Sequence, residues 1–114
     1  MWLKPGVKID GIKPELLLAI IVAEEVYRLA RRSLVITSVK DGKHMKGSLH
    51  YSGSALDLRI YPEGRVPPGQ MAKEIQNRLG KDFDVILEPD HIHIEYQPKA
   101  TSGPATTDKK GEPT

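Results

Sequence analysis

The stretch SLHYSGSALDLRI, residues 48–60, determines the fold that we predict, because it joins a loop rich in small residues to an alternating strand. Leu56, Leu58 and Ile60 fall on one side of that strand, and Asp57 falls on the other. The aliphatic side belongs in a hydrophobic core, so the opposite side must face solvent or a cleft. Asp57 is therefore expected at the surface of a sheet rather than in its core.

A second alternating stretch, HIHIEY at residues 91–96, places His91 and His93 on one face, because they are two positions apart. If this strand lies beside the first one, Asp57 and both imidazoles converge in one groove. His50 joins them if the chain turns sharply before Asp57. The small residues between His50 and Asp57 permit such a turn.

These side chains predict a metal site. The chain has no cysteine, so any metal must be held by His, Asp or Glu. Three protein ligands of nitrogen and oxygen type, with one open position, are typical of catalytic zinc. Calcium and magnesium prefer more carboxylates and fewer imidazoles. We therefore expect one Zn²⁺ ion.

The other segments predict an α+β fold with a small antiparallel β-sheet and helices packed on one face. Apolar periodicity, prolines and glycines mark the helices, and β-branched or alternating runs mark the strands. Helices are expected at residues 14–32 and 68–79, and strands at residues 34–39, 56–61, 82–87 and 91–96.

Composition limits the classes of protein that fit. At 114 residues the chain forms one domain, which we place at residues 1–97. Residues 98–114 contain no large apolar residue and are expected to be a disordered tail. A net charge of +2 is too small to indicate nucleic-acid binding, and no apolar run is long enough to span a membrane. The first residues lack a signal peptide, so we expect synthesis in the cytoplasm. We also expect the protein to be a monomer.

The two motifs together resemble a known family. Residues 48–58, SLHYSGSALDL, match the Ser-x-His-x-x-Gly-x-Ala-x-Asp pattern of the M15-type zinc peptidoglycan peptidases, the D-Ala-D-Ala carboxypeptidase and L-alanyl-D-glutamate endopeptidase group. DHIHIEY, residues 90–96, resembles the closing His-x-His strand of that family. The resemblance covers about residues 33–96. It implies a hedgehog/DD-peptidase-like fold and hydrolysis of an amide bond in the peptide stem of bacterial peptidoglycan.

Carried over residue by residue, the resemblance implies that His50, Asp57 and His93 bind zinc. The catalytic carboxylate of the family usually lies three positions before the last zinc histidine, which here is Asp90. Asp90 would then be the general acid and base. His91 looks like the partner histidine that contacts the substrate or steadies the oxyanion.

Glu88 is the alternative base, because some relatives use glutamate and Glu88 lies three positions before His91, which would then be the ligand. The chain also departs from the family. Many relatives carry an arginine between the first strand and the first zinc histidine, whereas residues 38–47, SVKDGKHMKG, contain lysines and no arginine. The resemblance therefore leaves open which bond is cut, and whether the enzyme is an endopeptidase or a carboxypeptidase.

By analogy, the small size and the missing signal peptide indicate a phage or prophage endolysin. Such an enzyme acts at the cell wall after a separate pore-former releases it. Two alternatives stay open: a non-catalytic zinc-binding recognition module of the same fold, like the hedgehog-like relatives, and a zinc hydrolase that acts on another peptide.

Overall fold

The computed structural model describes residues 1–40 and 54–99, which form two helices and a five-stranded sheet. The elements in chain order are β1 (Trp2–Leu3), α1 (Pro14–Leu29), β2 (Val35–Lys40), β3 (Ala55–Arg59), α2 (Pro68–Leu79), β4 (Phe83–Leu87) and β5 (His91–Tyr96). The predicted α+β class is confirmed. Neither helix in the described ranges has the length and hydropathy that a bilayer span requires.

The sheet has the strand order β1-β2-β3-β5-β4. The three pairings among β2, β3, β5 and β4 are antiparallel, as predicted. The sheet as a whole is mixed rather than antiparallel, because β1 adds to β2 in parallel. This strand pairs through its backbone: the N–H groups of Trp2 and Lys4 donate to the carbonyls of Leu34 and Ile36, at 2.8 and 2.9 Å. Because β1 consists of only two residues, both exposed, it shows no periodicity from which the sequence could predict a strand.

The aliphatic side of the sheet forms the core. Leu56 and Leu58 on β3 and Ile92 and Ile94 on β5 are fully buried, which is the side that the alternation predicts. They pack against apolar side chains of both helices, among them Leu16, Ala19, Ala23, Tyr27, Met71 and Ile75. Burying each large aliphatic side chain contributes about 1.5–3 kcal/mol. The polar side of β3 and β5 therefore faces away from the helices.

Both helices begin at a proline, Pro14 and Pro68, whose fixed φ suits the first helical turn. The second helix ends at Leu79, before Gly80 with φ of 88°, as predicted. The first ends at Leu29, earlier than predicted. Arg31 there has φ of 61°, a left-handed conformation that stops the helix and turns the chain toward β2.

The C-terminal end of the described chain lies against β4. Lys99, in the segment that we predicted as a tail, donates its backbone N–H to Asp82 Oδ1 at 3.0 Å. Its ammonium group lies 3.0 Å from Asp84 Oδ1. Residues 100–114 lie outside the described residues.

Tyr27 ties the first helix to the end of β3. Its buried hydroxyl donates a hydrogen bond of 2.6 Å to the backbone carbonyl of Arg59. Burial, with a smaller contribution from nearby Tyr61, raises the pKa of Tyr27 well above its ordinary value, so the phenol stays protonated and can donate. This contact fixes the strand that carries Asp57.

We expect Tyr27→Phe to lower the free energy of unfolding by about 1–2 kcal/mol, because a part-buried hydrogen bond of the buried Tyr27 side chain is lost. Urea denaturation measures the change. Tyr61→Phe is the matched control, since the Tyr61 hydroxyl donates to the Ser33 carbonyl at an exposed site, where water can replace it. Equal losses in the two variants would contradict the assigned role of Tyr27.

Candidate metal centre

Asp57 and His93 lie directly opposite each other in the antiparallel pairing of β3 and β5. Asp57 Oδ1 is 2.9 Å from His93 Nδ1 and 3.5 Å from His91 Nε2. Each of the three residues offers one ligand atom, and these atoms lie within 4.8 Å of one another. The predicted convergence of one carboxylate and two imidazoles is confirmed, and the group is close enough to bind a metal ion.

Two of the three separations between the candidate ligand atoms are close to those around a small tetrahedral ion. Metal–ligand bonds of about 2.0–2.1 Å at the tetrahedral angle place neighbouring ligand atoms roughly 3.3 Å apart. The separations of 2.9 and 3.5 Å from the Asp57 oxygen bracket that value. The donor set of two nitrogens and one oxygen is one that transition metals accept.

The three side chains are recessed rather than solvated. The exposed fraction is 11% for the side chain of Asp57, 18% for His93 and 27% for His91. A carboxylate is rarely buried to this extent unless it is paired or binds a metal. The polar side of β3 and β5 is therefore a cleft, with Asp57 and His93 deeper than His91.

Each imidazole turns its second nitrogen toward another carboxylate. His91 Nδ1 is 2.6 Å from Asp90 Oδ1, and His93 Nε2 is 3.3 Å from Glu95 Oε1. A carboxylate at one nitrogen favours the proton there and leaves the lone pair of the other nitrogen for a metal. The His91 ring is held in this way, whereas the His93 ring has a carboxylate at each nitrogen, with Asp57 nearer than Glu95.

Glu95 was not among the site residues that we predicted from the sequence. The signal that could have found it is its spacing: Glu95 lies two positions after His93 on one strand, so both side chains share a face. Carboxylates behind histidine ligands are common in metal sites, and this spacing allows one strand to provide both groups.

A bulge in β2 helps to position Asp57. The register between β2 and β3 shifts between Ile36 and Ser38, which marks an extra residue at Thr37. The Thr37 hydroxyl donates to the backbone carbonyl of Asp57 at 3.3 Å. The ammonium of Lys40 lies 3.7 Å from Asp57 Oδ2, so the oxygen that faces away from the histidines meets a positive charge.

Asp90 and Glu88, the two carboxylates predicted as catalytic acid and base, lie at different positions. Asp90 has an 87% exposed side chain and lines a cavity of about 450 Å³ together with Asp57 and His91. The hydrogen bond with the His91 ring lowers the pKa of Asp90, so its carboxylate stays ionised and can accept a proton. Glu88 donates its backbone N–H to the His91 carbonyl at 2.8 Å, and it is not among the described residues that line this cavity.

The structure thus brings together four of the six predicted site residues: Asp57, His91, His93 and Asp90. Glu88 lies at the turn before β5. His50 lies outside the described residues, as does the rest of the first motif through residue 53.

Comparisons of the chain with protein-family models, curated proteins and solved structures gave no match. The family resemblance and the hedgehog/DD-peptidase-like fold therefore stay predictions. Any function has to be argued from the geometry of the site and from the two motifs.

We expect the protein to bind one divalent transition-metal ion, measured by titration with Co²⁺ and visible absorption. Asp57→Asn and His93→Ala should each lower the affinity at least about 100-fold, since loss of a ligand costs no less than loss of its supporting group. Asp10→Asn is the control, because Asp10 is exposed and is not part of the group of ligands. Unchanged affinity in the Asp57 variant would exclude this site.

Glu95→Gln should lower the metal affinity about 10–100-fold while leaving one ion bound at saturation, because the amide no longer fixes the His93 ring as a carboxylate does. Glu74→Gln on α2 is the matched control, since Glu74 pairs with Arg78 at the surface. Equal affinities in the two variants would contradict a supporting role for Glu95.

Proposed function

We propose that this protein is a zinc-dependent peptidase that hydrolyses an amide bond in the peptide stem of bacterial peptidoglycan. The observation that supports this best is the convergence of Asp57, His91 and His93 in one cleft. The motif at residues 48–58 and the His-x-His strand carry the same residues in the order found in the peptidoglycan peptidases that they resemble.

Zinc is the ion that this donor set favours. Two imidazoles and one carboxylate suit zinc better than calcium or magnesium, which prefer oxygen ligands. Bound zinc polarises a carbonyl group and lowers the pKa of a water ligand to about 7, so that water can attack an amide at neutral pH.

We assign zinc binding to His50, Asp57 and His93, as the family resemblance implies. Asp57 and His93 are the two deepest side chains of the group. The place of His50 in this set depends on the resemblance alone. His91 is more exposed and is held by Asp90, which suits a residue that contacts the substrate beside the scissile bond.

Asp90 is the acid and base in this proposal. Its ionised carboxylate lies at the rim of the cavity, where it can take a proton from the attacking water and deliver it to the leaving amine. Glu88 is the alternative base. The position of Asp90 in the cavity lining favours Asp90 over Glu88.

The decisive experiment is digestion of purified peptidoglycan, with the released termini identified by mass spectrometry. We expect new amino and carboxyl termini in the stem peptide, and we expect a chelator to abolish them. Release that continues in the presence of the chelator would overturn a metal-dependent mechanism.

Asp90→Asn should retain zinc and lower the hydrolysis rate about 10²–10⁴-fold, because proton transfer is lost while the ligands remain. Glu88→Gln is the matched control and should hydrolyse at nearly the rate of the parent protein. A large loss of rate in Glu88→Gln with little loss in Asp90→Asn would assign the role of base to Glu88 and make His91 a zinc ligand.

A non-catalytic zinc-binding module is the second candidate. The high exposure and lowered pKa of Asp90 favour this second candidate. A general acid works best with a pKa near the working pH, and a lowered pKa moves Asp90 away from that range. A protein of this class would bind zinc and stem peptides but release no new termini in the digestion.

A further inference from the structure

The cavity at the metal centre continues toward the N-terminal segment. A second cavity, of about 460 Å³, adjoins the first and shares the lining residues Lys4, Thr37 and Ser38. The two together form one groove over the polar side of β2, from His91 and Asp90 at one end to residues 4–8 at the other. We call this the β2 groove.

The bulge in β2 shapes the floor of the groove. In a regular strand, consecutive residues face opposite sides of a sheet. Thr37 and Ser38 are consecutive, and both line both cavities. The extra residue at Thr37 accounts for this, since a bulge redirects the side chains next to it. The groove therefore has a polar floor.

The groove carries charges of both signs at its metal end. Lys4 and Arg59 line the first cavity together with Asp57 and Asp90, and Lys4 and Lys8 line the second. Arg59 lies on the strand position opposite His91. A ligand in this groove therefore meets positive charge beside the metal centre and along the N-terminal segment.

These cations are not used by the fold. Within residues 1–40 and 54–99, Lys40 pairs with Asp57, but Lys4, Lys8 and Arg59 have no carboxylate within 4.0 Å. Unpaired cations that line a concave polar surface beside a reactive centre are typical of an anion-binding subsite. The guanidinium of Arg59 can bind a carboxylate through two parallel hydrogen bonds.

We propose that the β2 groove binds a carboxylate of the ligand through Lys4 and Arg59, so that the protein selects acidic peptides. This inference depends on the proposed function, because it takes the metal centre as the place where the scissile amide lies. The two acids in the same groove and the net charge of +2 disfavour a polyanion such as nucleic acid.

The probe is the dipeptide N-acetyl-L-Ala–D-Glu, compared with its diamide, which has the same shape and no carboxylate. Binding of each to the Zn²⁺-loaded protein is measured by isothermal titration calorimetry. We expect the diamide to bind at least about tenfold more weakly, since it cannot form charge-assisted hydrogen bonds with Lys4 and Arg59. Equal binding of the two compounds, or binding of neither, would overturn the subsite.

Lys4→Gln and Arg59→Gln test whether the groove or the metal ion causes the tighter binding of the dipeptide. Each should reduce the preference for the dipeptide at least about fivefold and leave the Zn²⁺ affinity unchanged, which also shows that the variant is folded. Lys73→Gln is the matched control, because Lys73 is exposed on α2, outside the lining of the groove. A preference that survives in both groove variants would assign the carboxylate to the metal ion and overturn the proposal.

The outcomes also separate this inference from the proposed function. A carboxylate preference that depends on Lys4 and Arg59, together with no release of peptidoglycan termini, would support the subsite and reject the peptidase. Release of termini without such a preference would support the peptidase and reject the subsite.

Discussion

The pairing of β3 with β5 is the constraint on which the rest of the structure depends. One register opposes Asp57 to His93 on the polar side and Leu56 to Ile94 on the buried side. A slip of one residue would exchange the two faces, sending the carboxylate into the core and the aliphatic side chains into water. The hydrophobic core and the group of candidate metal ligands are therefore specified together. The energy that buries the core also holds the ligands opposite each other.

The cluster around Asp57 adds little to the stability of the fold. Removing a carboxylate from water costs roughly several kcal/mol unless opposite charges and hydrogen-bond donors surround it. Here the Lys40 ammonium and the rings of His91 and His93 surround it, and the Thr37 hydroxyl bonds its backbone. Apolar residues of similar volume would stabilise the sheet at least as well. The cluster therefore contributes little to folding, while its ligand atoms lie close enough together to bind a metal ion.

The sequence predicted the parts of the fold that depend on repeated patterns, namely the strands around Asp57 and His93 and both helix starts. It could not predict features that depend on a single backbone contact or dihedral angle. The strand at Trp2–Leu3 pairs through its backbone alone, and the early end of α1 depends on the left-handed conformation of Arg31. The bulge at Thr37 depends on how two strands align. The contact of Glu95 with His93 depends on the orientation of the ring.

The bulge at Thr37 has a consequence for how such a protein can change. The candidate metal ligands among the described residues lie on β3 and β5, whereas most of the groove lies on β2 and the segment before α1. An insertion or deletion in β2 would reshape the groove, whereas the register that opposes Asp57 to His93 is set by the pairing of β3 with β5. The opposed pair and the floor of the groove therefore lie on different strands of one small sheet. Diversified libraries restricted to residues 4–8 and the middle of β2 would vary the groove and keep the residues Asp57 and His93 unchanged.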